Sequence, residues 1–216
     1  MAAQVIGLGA GGHASVIIDI LHMDDRYKVV GLLDQSPGRR GDDVLGVPVL
    51  GADDCLSALA DDGVTHFFVG IGSTDRVEPR RRLYEMALSL GMTPVSVIHP
   101  EATVATSASL GAGVTIMAGA VINARAFLGA NVIINTGAII EHDCNLGNHV
   151  HVATGARLAG TVRLETGVHI GAGATVRQDI TVGENAIVGI GAAVVKDIAS
   201  DTVVAGVPAE ILKNGR

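Results

Sequence analysis

The chain has 216 residues and a formal charge of −7; 48% of its residues are hydrophobic but only 2% aromatic, and 29 are glycine. Small aliphatics broken by many turns are a solenoid composition rather than an ordinary globular one, and the length allows one or two domains. The acidic balance argues against a nucleic-acid or anionic-membrane surface, the two cysteines Cys55 and Cys144 make no disulfide framework, and no stretch reads as a signal peptide or membrane span, so the expected compartment is the cytoplasm.

Residues 4–97 are predicted to alternate strands and helices. Gln4–Leu8 is a short apolar strand, Gly9–His13 a glycine-rich turn and Ala14–Met23 a helix. Tyr27–Leu33 is a strand ending at Asp34, Gln35–Asp43 a polar loop, and Val47–Leu50 a short strand, after which Asp53 caps a helix to about Ala60. Thr65–Ile71 is a strand, Thr74–Leu90 a helix and Thr93–Ile98 a last strand. The alternation implies an α/β, Rossmann-like domain with a small parallel sheet, assigned to residues 1–97.

The turn at Gly9–His13 suits a nucleotide phosphate. Glycines let backbone N–H groups approach the anion, and the helix N-terminus favours negative charge. Asp34 ends the second strand, where a ribose hydroxyl or base edge is read. Gly7-Leu8-Gly9-Ala10-Gly11-Gly12 departs from a full GxGxxG fingerprint, with its third glycine one place early, and the sheet is small for a dinucleotide. An unliganded strand-to-helix turn is the alternative. Gly70-Ile71-Gly72-Ser73 ends another strand and is a weaker candidate for the same crevice.

From Ile98 to Val194 every sixth residue is Ile, Leu or Val, without exception, and the residue four places after each is again small or branched, as at Ala120, Val132, Cys144 and Ala156. A period of six matches neither a helix nor a simple strand. It matches a hexapeptide solenoid in which three short strands close one coil, assigned here to residues 98–216 with a C-terminal tail. The residue three places after each aliphatic falls at a corner. One corner is always glycine: Gly119, Gly137, Gly155, Gly173, Gly191. The second is Gly113, Asn131, His149, Gly167, Asn185, and the third is Ser107, Arg125, Asp143, Thr161, Asp179, Asp197. Gly, Asn and Asp tolerate positive φ. The third corner lacks glycine, which marks it as the place for chemistry. Cys144 falls on an inward position and reads as a small core hydrophobe.

His142 lies two places after the inward Ile140, so it faces outward at that third corner beside Asp143. One coil of 18 residues further on is Gly160. Neighbouring strands lie about 4.8 Å apart, which brings a glycine N–H within reach of an acyl group held beside the imidazole. A base, an orienting carboxylate and a nearby oxyanion donor form an acyl-transfer constellation. A solvated surface histidine is the alternative. His149, His151 and His169 raise a metal reading, since His151 and His169 are one coil apart; two stacked histidines without a third ligand make a poor zinc site, and no metal is expected.

Gly-Ala-Gly-Gly-His at 9–13, Glu-His-Asp-Cys at 141–144, His-Val at 151–152, Ala-Gly at 159–160 and Gly-Val-Pro-Ala at 206–209 together resemble one branch of the left-handed β-helix acyltransferases. That branch comprises the bacterial N-acetyltransferases of nucleotide-linked 4-amino-4,6-dideoxy sugars, with the sialic-acid O-acetyltransferases as close relatives. The resemblance covers nearly the whole chain. It implies a left-handed parallel β-helix and acetyl-CoA as co-substrate. His142 would be the base that deprotonates the sugar amine, Asp143 its orienting acid in a position often held by Glu, and Gly160 the donor to the thioester oxygen. Asn135 and His151 would line the same cleft, with Gly206, Val207 and Pro208 on the pantetheine arm. Gly11, Gly12, His13, Asp34, Gly72 and Ser73 would form the nucleotide-sugar pocket. It also implies a homotrimer with sites between adjacent β-helices. A sugar O-acetyltransferase and a non-catalytic solenoid remain as alternatives; Asp34 and the glycine-rich turn favour the first reading over the O-acetyltransferase, and His142 with Asp143 favours either enzyme over a bare scaffold. UDP and GDP are not distinguished.

Overall fold

The structure, a computed structural model, describes residues 2–73 and 76–214. They fall into two units, Met1–Gly72 with Glu78–Val97, and Ser73–Val77 with Ile98–Arg216.

In the first unit the chain runs β1 (Ala3–Leu8), α1 (Gly12–Leu21), β2 (Tyr27–Leu33), β3 (Asp43–Val44), β4 (Val47–Gly51), α2 (Leu56–Asp61), β5 (His66–Val69), α3 (Glu78–Ser89) and β6 (Thr93–Pro94). The sheet order is β3-β4-β2-β1-β5-β6, parallel except for the β3–β4 pair. Central β1 buries Val5, Ile6 and Leu8 completely, as befits a strand of a parallel sheet covered on both faces.

Three local expectations need correction. Asp53 does not cap α2. It opens a 3-10 turn, Asp53–Cys55, without a side-chain cap bond; its buried carboxylate instead accepts from Gln35 Nε2 at 2.6 Å and Arg82 Nη2 at 2.8 Å, because a buried carboxylate is tolerated only with such partners. The expected start of α3 at Thr74 lies outside the described residues. α3 itself runs from Glu78, with Pro79 in its first turn, where the missing N–H breaks no helical bond. The last strand is split into Thr93–Pro94 and Val97–Ile98; Thr93 and Val95 N–H donate to Thr65 and Phe67 C=O, and Pro94 between them lies on the edge strand, where its missing N–H breaks no ladder bond.

In the second unit two-residue strands recur every six residues from Thr103–Val104 to Ala193–Val194. From Thr103–Val104 to Thr175–Val176 each pairs in parallel with the strand 18 residues on, as in Ile133↔His151, His151↔His169 and His169↔Ile187. The strands build three parallel sheets, which makes the unit a parallel β-helix of 18 residues per coil. The aliphatics from Ile116 to Val194 are buried, stacked with Ala120, Cys144, Ala156 and their equivalents. Ile98, in a coil with none before it, is 41% exposed.

Every corner from Gly113 to Gly191 has positive φ, the glycines and Asn, Asp, Arg125, His149 and Thr161 alike. For a β-branched residue such as Thr161 (φ +62°) this conformation costs about 1–2 kcal/mol. The stack imposes it. Asp143 N–H donates to Ala124 C=O (3.0 Å), Thr161 N–H to His142 C=O (3.0 Å) and Asp179 N–H to Gly160 C=O (3.3 Å), so each coil dictates the corner of the next. After the last coil, Thr202–Ala205 pairs in parallel with Ile187–Val188 and antiparallel with Glu210–Asn214. No helix among the described residues is long and apolar enough to cross a membrane.

Candidate active site

In the first unit the turn from Gly9 to His13 joins β1 to α1. Gly9 has φ +105° and packs on Gly70 backbone, so the end of β5 closes against this turn. Gly11 and Gly12 differ. Gly11 is extended, and a Cβ at either would meet nothing within 4 Å; the fold does not require glycine there. Asp34 Oδ2 accepts from Ala10 N–H at 2.8 Å, and Oδ1 from Ser36 N–H at 2.9 Å. Burial pushes this carboxyl up, but the Ser36 and Ala10 amides outweigh it and hold it below the usual carboxylate range. Asp34 therefore pins the turn, with acceptor capacity left on both oxygens.

His13 is half-buried as a residue, but its Nε2 is fully enclosed without a hydrogen-bond partner among the described residues. Burial first, and then the charge of Arg80, lower its pKa from 6.5 to about 4. A histidine depressed in the fold binds its proton more readily when unfolded, so its contribution is complete above pH 6.5 and is lost as pH falls toward about 4. Chemical denaturation should show stability declining across that window by up to about 1.4 kcal/mol per pH unit from this residue, with a shallower decline in His13→Gln; parallel slopes would contradict the assignment.

In the second unit His142, Asp143 and Gly160 come together as the period requires. His142 Nδ1–H donates to Asp143 Oδ2 at 2.8 Å, which turns Nε2 outward as the acceptor. The side chain is 56% exposed. A Cβ at Gly160 would lie 2.7 Å from both Cε1 and Nε2 of His142, so only glycine lets the ring lie against this backbone. The Gly160 N–H meets no acceptor among the described residues, while Gly160 C=O accepts from Asp179 N–H and the Thr161 hydroxyl. Cys144 is a buried core residue as expected, and its Sγ–H donates to Ala159 C=O at 3.2 Å, fixing the plane of the Ala159–Gly160 peptide. Burial pushes the thiol up to about 11, so it stays protonated and able to donate.

Arg125, placed by the period at the third corner but given no role there, completes the arrangement. Arg125 donates to Asp143 through Nε (2.7 Å, Oδ1) and Nη2 (2.8 Å, Oδ2). These bonds, with that from His142, hold the Asp143 carboxyl down to about 2. The signal was in the period, since Arg125 stands one coil before Asp143.

His151 has bonding partners of its own. It is 5% exposed and its Nδ1–H donates to Ser73 C=O at 2.8 Å, which leaves Nε2 to accept from Asn135 Nδ2 at 3.5 Å. Its ring meets His169 edge-on at 5.0 Å. Ser73 is thereby placed in the second unit beside His151, whereas Gly72 groups with the first. His149 bonds Asn131 at 3.0 Å, and no group of three or more His, Cys, Asp or Glu among the described residues could hold a metal ion. Gly206, Val207 and Pro208 form the turn after Ala205, with Gly206 at φ +98° and its carbonyl accepting from Ala193 N–H at 3.0 Å. Val207 is 77% exposed.

The family model of the PglD N-terminal domain matches residues 4–87. No curated protein sequence matches significantly. Among solved structures, PerB from Caulobacter crescentus, in complex with CoA and GDP-perosamine, is 39% identical over 99% of both chains, with a TM-score of 0.91. The acetyltransferase domain of PglB from Neisseria gonorrhoeae is 36% identical over 97% of this chain and 99% of that one, with a TM-score of 0.89. WeeI from Acinetobacter baumannii, at 24% identity and a TM-score of 0.85 over 97% of this chain and all of that one, shares the fold. The hexapeptide coils, the corner histidine and this degree of likeness have one conclusion: the chain belongs to the perosamine N-acetyltransferase family, the hexapeptide-repeat acetyltransferases of nucleotide amino sugars.

Proposed function

We propose that the protein transfers the acetyl group of acetyl-CoA to the 4-amino group of a UDP- or GDP-linked 4-amino-4,6-dideoxy sugar, directly and with His142 as general base. The single observation that carries this is the packing of the His142 ring, held by Asp143, against the Gly160 backbone. His142 Nε2 accepts a proton from the attacking amine while nitrogen bonds to the thioester carbon. Gly160 N–H donates to the oxyanion of the tetrahedral intermediate. As the C–S bond breaks, the imidazolium returns its proton to the departing thiolate. Asn135, His151, Gly206, Val207 and Pro208 are assigned to the acetyl-CoA side. The buried His151 acts there by holding Asn135.

Gly11, Gly12, His13, Asp34, Gly72 and Ser73 are assigned to the nucleotide sugar, which gives the first 97 residues the acceptor and residues 98–216 the chemistry and the donor. The space around Gly11 and Gly12 supports this, since what excludes a side chain there is not the protein itself. Gly11→Val should raise the KM for the nucleotide sugar while that for acetyl-CoA stays nearly level. Equal losses in both would mean damage to the fold.

The left-handed coil, the cytoplasmic location and a homotrimer with sites between adjacent β-helices belong to the same proposal. The half-exposed His142 and the exposed Phe127, Ile190 and Val207 support the trimer, which would bring a second wall to an open corner. The test of the reaction is thiol release from acetyl-CoA against a panel of UDP- and GDP-linked amino sugars. Release with at least one 4-amino sugar is expected, and none with any of them would defeat the proposal.

A further inference from the structure

Asp143 is not a lone partner of His142. Its Oδ2 accepts at once from His142 Nδ1 and from Arg125 Nη2, while Oδ1 accepts from Arg125 Nε. The three residues sit at one corner on adjacent coils, and the arrangement is fixed from below as well, since Arg125 N–H donates to Ser107 Oγ at 3.2 Å. A bidentate guanidinium–carboxylate pair sets the plane of the carboxylate, and here that plane aims Oδ2 at the imidazole. A carboxylate held only by a histidine could rotate about its own χ angles.

We propose that Arg125 is a positioning residue for the acetyl transfer: through its two bonds to Asp143 it fixes the carboxylate that orients the imidazole of His142, and it sets a positive charge beside that carboxylate. The inference rests on His142 being the base. The charged groups facing the ring are few. Asp143 and Glu141 flank it, the latter accepting from His142 N–H at 3.2 Å, and Arg125 comes from the preceding coil. The following coil presents the neutral Gly160 backbone, and the Cys144 thiol is uncharged. Removing the guanidinium leaves two carboxylates unopposed, which favours imidazolium and removes the base at low pH. Replacing Asp143 by Asn does the reverse, leaving Arg125 to disfavour imidazolium.

The test is a set of kcat/KM against pH profiles for the wild type, Arg125→Gln, Arg125→Lys, Asp143→Asn and the Arg125→Gln/Asp143→Asn double variant. The acidic limb of Arg125→Gln should move up by about half a pH unit, the size expected of an exposed pair, with the plateau kcat about fivefold lower and both KM values level. The limb of Asp143→Asn should move down. Arg125→Lys keeps the charge without the fork, so its limb should return toward the wild-type position while its plateau stays low. In the Asp143→Asn background Arg125→Gln should cost little more. An unmoved limb in Arg125→Gln, an equal shift in Arg125→Lys, or the same fold-loss with and without Asp143 would each overturn the proposal. His142→Asn run alongside separates the two ideas: substantial activity there defeats the base assignment itself, whereas an inactive His142→Asn with unmoved limbs defeats only the role of Arg125.

Discussion

His142→Asn is expected to lower kcat by about 10²–10⁴-fold, the contribution typical of general-base catalysis, or about 3–5 kcal/mol at ~1.36 kcal/mol per tenfold. A sugar amine is largely protonated near neutral pH, so attack on a thioester needs an acceptor at the right distance, and imidazole titrates in that range. Asparagine is close in size and can still bond Asp143, but it is not basic. The ring is 56% exposed and carries none of the core, so assembly and both KM values should hold within a few-fold. The acidic limb of the kcat profile should weaken or vanish. If the variant keeps more than about a tenth of the wild-type kcat, the corner histidine is not the base. His151 would then be the next candidate, although its burial against Ser73 leaves it badly placed for the role.

Gly160→Ala should be nearly as damaging, from a single methyl group. The new Cβ would lie 2.7 Å from two ring atoms of His142, a separation that side chains do not sustain. The ring is free on its solvent side and can swing away, so the coil should fold, but the Nδ1 bond to Asp143 breaks as it does. Misplacing a reacting group by about 1 Å can cost 10²-fold, and a loss in kcat of roughly that size is expected. Gly160→Val should in addition weaken acetyl-CoA binding measured by calorimetry, leaving the nucleotide sugar bound. Because the methyl acts through the ring, Gly160→Ala should add little loss in a His142→Asn background. A full further loss there would place the effect of Gly160 in the donor cleft alone.

The coil and its corner were legible because each rests on a repeat. An aliphatic every six residues leaves no second arrangement that buries them all, and a period of 18 forces His142 against Gly160 and Arg125 beneath Asp143. The positive φ of Arg125, His149 and Thr161 was not legible residue by residue. Their intrinsic preference opposes it, and the backbone bonds from the neighbouring coils override that preference. Contacts off the period were hidden for another reason. Ser73 reaches His151 across 78 positions of sequence, and Asp53 trades a helix cap for Gln35 and Arg82, 18 and 29 positions away; no local pattern encodes either. In the glycine-rich turn the motif marked the place, but only the structure separated Gly9, which the backbone needs, from Gly11 and Gly12, which it does not.

The most direct measurement is the chemical nature of the product. Purified protein is incubated with acetyl-CoA and a UDP- or GDP-linked 4-amino-4,6-dideoxy sugar, and the sugar product is isolated from wild type and from His142→Asn, then treated with hydroxylamine, which cleaves esters and spares amides. One acetyl group gained per thiol released is expected, resistant to hydroxylamine and formed at a small fraction of the wild-type rate by His142→Asn. A hydroxylamine-labile acetyl ester, or thiol release without any acetylated sugar, would contradict N-acetyl transfer.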